Sequence, residues 1–105
     1  MYNRPSDAVL AMLPALYASE HVPAKDKIIH LHFMFGDSDW FAVEFDGDDL
    51  LFGFAVLNGD LECAEWGYFS LAELESITLF GCQVVNDPMW KPTPAGKIEH
   101  IRELI

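Results

Sequence analysis

Between Ile28 and Trp90 the chain has no lysine and no arginine. Phosphate backbones and anionic lipid surfaces are held by Lys and Arg. A 63-residue stretch without either argues against direct nucleic-acid binding and against a membrane-surface role for the middle of the chain. Cysteine is scarce as well. Cys63 and Cys82 are too few for a disulfide framework, and no CxxC or Cys/His spacing suggests a zinc site. Both are expected to be reduced, semi-buried small hydrophobes. No apolar run reaches the ~20 residues of a membrane span. No basic segment followed by an apolar run opens the chain, so no signal peptide is expected and the predicted location is the cytoplasm. The GxSxG, P-loop and Rossmann glycine patterns are also missing.

What the base-free stretch does contain is acid. It holds 12 of the 17 carboxylates, in a chain of net charge −11. The 105 residues predict one domain, 1–105. A chain this long buries roughly two-thirds of its unfolded surface. Half of its residues are apolar and eight are Phe, which excludes disorder despite the charge.

The first apolar stripe, Val9, Leu13, Leu16 and Tyr17, has helical spacing, with Ser6 as N-cap and Pro14 expected to kink the helix or end it near Leu13. The period then changes to two. In Ile28–Phe35 and Trp40–Asp46, one face collects Ile29, Leu31, Phe33, Phe35, Phe41, Val43 and Phe45. The other face carries His30, His32, Trp40, Glu44 and Asp46, a mixture suited to water or a partner. Leu50–Leu57 is apolar on both faces, as in a central strand. Leu61–Phe69 can supply a fourth strand, and Cys82–Asn86 a further short one. Gly36-Asp37-Ser38-Asp39, Asp46-Gly47-Asp48-Asp49 and Asn58-Gly59-Asp60 read as turns. Ser70-Leu71-Ala72-Glu73 reads as a capping box before a short helix. Thr93 as N-cap and Pro94 at the first helical position predict a C-terminal helix with Ile98, Ile101 and Ile105 inward. The predicted fold is α+β: an antiparallel meander of four to five strands with two or three helices packed mainly on one face.

Leu13-Pro14-Ala15-Leu16-Tyr17, Glu20-His21, Glu44-Phe45-Asp46, Phe52-Gly53 and above all Trp66-Gly67-Tyr68-Phe69-Ser70-Leu71-Ala72-Glu73-Leu74-Glu75 occur in an order that resembles a small bacterial family of unknown function, DUF family 2958. The resemblance covers roughly residues 10 to 90. It implies a single domain of this length, often encoded on plasmids and integrative elements, and supplies no catalytic residue. The chain departs from the family pattern at His32, where a basic residue is expected, and at Asn86-Asp87, where an Arg is expected before the Asp.

No catalytic residue and no cofactor is assigned, and the reading leans away from an enzyme. The leading expectation is a protein-binding module whose acidic, aromatic-bearing face docks a basic protein surface through Trp40, Glu44, Asp46, Trp66 and Tyr68. Its sharper form is a mobile-element accessory or counter-defence factor that presents carboxylates in place of phosphates. The alternative is a metal-dependent hydrolase with His30, His32 and Glu44 as ligands. A monomer, or a homodimer through the same face or an edge strand, is expected. The turn at Asp46 lacks the spacing and terminal Glu of a calcium loop.

Overall fold

The computed structural model describes residues 1–105. Its strands are β1 (Ile28–Ile29), β2 (Leu31–Phe35), β3 (Ser38–Phe45), β4 (Leu50–Val56), β5 (Glu65–Ser70), β6 (Thr78–Leu79), β7 (Cys82–Gln83), β8 (Val85–Asn86) and β9 (Thr93–Pro94). Its helices, all short, are α1 (Asp7–Leu10), α2 (Leu71–Ser76) and α3 (Glu99–Arg102). Five strands make an antiparallel sheet in the order β5-β4-β3-β2-β8. Strands β2 to β5 are the expected meander, and β8 returns beside β2 as the fifth strand.

Local chemistry sets the corners. Gly36 turns β2 into β3 at φ +56°. One Asp46 side-chain oxygen accepts from the amides of Asp48, Asp49 and Leu50 at 2.8, 2.8 and 3.0 Å, so this turn is tied by its own side chain. Those amide bonds, that of Asp48 first, hold the exposed Asp46 carboxyl below its ordinary value. Ser6 caps α1 through the Val9 amide, and Pro14 prevents its extension. Ser70 caps α2 through the Glu73 amide at 3.1 Å. The reciprocal carboxylate is Asp49 rather than Glu73: it accepts from the Ser70 hydroxyl and the Ala72 amide.

Unbroken alternation predicts one apolar face; the structure has two. β3 pairs Ala42 with Gly53 and Glu44 with Phe52, leaving Val43 as the extra residue of a β-bulge. A bulge resets which side each following residue faces. Phe41 and Val43 point one way, while Trp40, Ala42 and, beyond the bulge, Phe45 point the other. A second reset falls at His30, so that Ile29 packs with Phe41 whereas Leu31 and Phe33 pack with Trp40. The first core joins Leu10, Leu13, Leu71, Leu74 and Val84 to the Trp40 side. The second joins Ala95, Ile98 and Ile101 to the Phe41 side, with Phe54 and Val56. Two of the three helices thus pack on one face, and the C-terminal segment covers the other. Phe33, Phe41 and Phe54 are inaccessible to water, and each such burial stabilises the fold by roughly 2–3 kcal/mol.

The C-terminal helix starts later than predicted. Thr93 and Pro94 pair with Ile29 and Ile28 as β9 instead of capping a helix. α3 begins at Glu99 after a 3-10 turn, Ala95–Lys97. Ile98 and Ile101 are buried as expected, but Ile105 is exposed.

Candidate functional site

Glu44, expected on an open face, is only 3% exposed. The bulge at Val43 aims it at the loop before β1. Its carboxylate accepts from the amides of Tyr17 and Ser19, each at 2.9 Å, and from the Ser19 hydroxyl. The Lys27 ammonium donates to the Ser19 carbonyl oxygen. Desolvation pushes the Glu44 carboxyl up. The Ser19 hydroxyl, the Ser19 and Tyr17 amides and the Lys27 charge together outweigh it and leave the carboxyl below its ordinary value.

The metal reading needs Glu44 beside His30 and His32, and in the structure Glu44 and His32 are each held by other partners. His30 occupies the reset between β1 and β2, half-buried, and burial lowers its pKa. The His32 ring stacks on Phe41 at 4.6 Å between centroids, with Trp90 at 5.1 Å. Its Nε2 lies 2.7 Å from Asp39 Oδ1 and its Nδ1 3.3 Å from Asp87 Oδ2. Carboxylates only accept, so both bonds form together only when both ring nitrogens carry protons. Both His32 nitrogens are engaged with carboxylates, and no group of three His, Cys, Asp or Glu side chains surrounds one point. Of the expected ligand set, Glu44 is committed to Tyr17 and Ser19 and His32 to Asp39 and Asp87, while His30 sits half-buried just before β2.

Beside His32 lies an open cavity of about 540 Å³, lined by Arg4, His30, Asn86, Asp87 and Trp90 among others. Arg4 is already paired with Glu75 and Asp7. Asn86, 8% exposed, exchanges amide–carbonyl bonds with Asn3, and its Oδ1 is the one buried side-chain polar atom without a partner. His32 and Asn86 thus fall in one neighbourhood, joined through Asp87.

Of the residues expected to bind a partner, Trp40 is buried in the first core and Asp46 is committed to its turn. Trp66 and Tyr68 remain, and both are on β5. That strand is the sheet edge: β4 pairs one side of it and no strand pairs the other. Trp66 and Tyr68 lie opposite Phe54 and Phe52, forming an aromatic row with Phe52–Tyr68 centroids 5.2 Å apart. Tyr68 is 50% exposed, and Tyr17 beside it is exposed too. The Tyr17 hydroxyl, then desolvation and the Glu44 and Glu20 charges, push the Tyr68 phenol up.

The carboxylates of the base-free stretch divide by task. Glu44 is buried; Asp39 and Asp87 hold His32; Asp49 caps α2; Glu75 pairs with Arg4. Asp46 and Asp60 accept amides of their own turns. Those left over sit at opposite ends of the sheet. Asp37, Glu62 and Glu65 lie at the end where β3 and β5 begin, and Asp48 and Glu73 where β3 and β5 finish. The two ends are roughly 23 Å apart along β3.

Neither cysteine is semi-buried as expected; both are exposed and free. A hydrogen bond to Asp60, then its charge, desolvation and the Glu65 charge, push the Cys63 thiol up, which disfavours its nucleophilic form. No helix is long and apolar enough to cross a membrane.

Residues 7–95 match the family model described as Protein of unknown function (DUF2958). The chain belongs to this family. No curated protein and no solved structure matches it significantly. The matched residues include the bulge, the Glu44 anchor, the His32 cluster and the whole of β5.

Proposed function

We propose that this DUF2958 member is a non-enzymatic, cytoplasmic protein-binding module that takes up an extended, basic segment of a partner along β5. The observation that carries this reading is the free edge of β5, whose exposed Tyr68 and partly buried Trp66 are bracketed by Glu62 and Glu65 at one end and Asp48 and Glu73 at the other. An open edge offers unpaired backbone groups to an added strand. The aromatic row gives that strand an apolar seat, and the acids at both ends favour Lys or Arg on its flanks. No Lys or Arg between Ile28 and Trp90 opposes that approach. A DNA-mimic version gains no support, because it needs a continuous track of carboxylates and the free ones are split between two ends.

The test is capture from a lysate of the source cell at about 50 mM and about 500 mM salt. The reading predicts a protein retained at low salt, released at high salt, and lost with either Tyr68→Ala or Glu62→Lys/Glu65→Lys bait. A captured protein indifferent to both baits contradicts it, as does no capture at low salt.

A further inference from the structure

The hairpin of β6 and β7 ends in a two-residue turn, Phe80-Gly81, with φ +51° and +79°. Positive φ at both central residues is the signature of a type I′ turn, where Asn-Gly is favoured. A bulky side chain in the left-handed region is strained, and such strain persists where something else requires the residue. The fold of one chain does not: Phe80 is 96% exposed. Next to it lies an apolar groove of about 430 Å³ walled by Met34, Phe35, Leu79, Cys82 and Val85, with Phe80 itself on the rim. No residue lining the groove carries a charge. Ser76–Asn86 and Phe33–Gly36 contain no Asp, Glu, Lys, Arg or His, in a chain of net charge −11.

We infer that this patch binds a second copy of the same chain, Phe80 of each copy seated in the groove of the other. A projecting group beside a matching groove is what a two-fold interface needs, because the same surface then serves as both donor and receiver. Lack of charge points the same way. A basic partner is drawn to the acids and gains nothing here, whereas two copies of so acidic a chain meet most easily where neither carries charge. The contact is small. Two Phe80 side chains contribute roughly 300–500 Å² and the groove walls supply the rest. The dimer therefore belongs with weak, concentration-dependent interfaces. It leaves β5 of both copies free and is independent of the partner reading above.

Sedimentation velocity over a concentration series into the high micromolar range, at low and high salt, tests it. The expected result is a reversible monomer–dimer equilibrium that strengthens with salt, as mutual repulsion is screened. Phe80→Asn removes the knob while suiting the left-handed turn. It should raise the dimer dissociation constant about thirtyfold while leaving the folded monomer at least as stable. A wild-type chain monomeric under all these conditions overturns the inference. So does a dimer unaffected by Phe80→Asn, or assembly that continues past the dimer.

Discussion

The Glu44 carboxylate and the Ser19 backbone hold each other across 25 residues of sequence, the amide at 2.9 Å and the Ser19 hydroxyl on the same oxygen. Removing the carboxylate leaves buried donors unpaired. Glu44→Ala should cost about 3 kcal/mol, read from the midpoint of urea unfolding. It should also open residues 17–22 to limited proteolysis. Unchanged stability would mean that Glu44 is no anchor.

Acid should weaken the fold in two stages. The His30 pKa is lowered by burial from its ordinary 6.5, so the unfolded chain binds the proton more readily. Its contribution is complete above pH 6.5 and is lost as pH falls toward the lower folded value. Glu44, lowered from 4.5, contributes in the same sense, and its share is lost at more acidic pH. Unfolding free energy should fall between pH 7.5 and 5.5, and His30→Gln should flatten that fall. An equal slope in the variant would assign it to other groups.

Gly53 and Gly67 face each other in the β4–β5 register, yet only one is required. A Cβ on Gly53 would sit 1.8 Å from the Phe41 carbonyl oxygen, backbone that cannot move without parting β3 from β4. A Cβ on Gly67 meets nothing within 4 Å. Gly53→Ala should cost on the order of 3 kcal/mol or more, whereas Gly67→Ala should stay near wild type. Comparable melting temperatures for the two variants would contradict the tight crossing at the bulge.

The strands, the turns and the capped helix were legible because each rests on neighbours in sequence: Gly36, Asp46 and Asn58-Gly59 at corners, Ser70 at a cap. The faces were not. With a period of two, one surplus residue sends every later side chain to the other side, and neither Val43 nor His30 announces itself as that residue. The hairpin register that pairs Phe33 with Trp40 puts Trp40 on the buried face of Leu31 and Phe33, and the bulge at Val43 turns Glu44 inward. Trp66 and Tyr68 share one face of their strand, as alternation predicts, because no bulge interrupts β5. The partners of Glu44 and His32 lie far along the chain, at Ser19 and Asp87, beyond the reach of local pattern. Thr93-Pro94 carries the signal of a helix start, but pairing with β1 took precedence over it.

The most direct measurement of the proposed function is amide hydrogen exchange on the captured complex against the free chain. An added strand must protect the outward amides of Glu65–Ser70, with smaller effects at Tyr17 and in the flanking acidic turns. Protection concentrated on β5 is the predicted result. Unchanged exchange on β5, with protection appearing elsewhere on the chain, would contradict edge-strand binding.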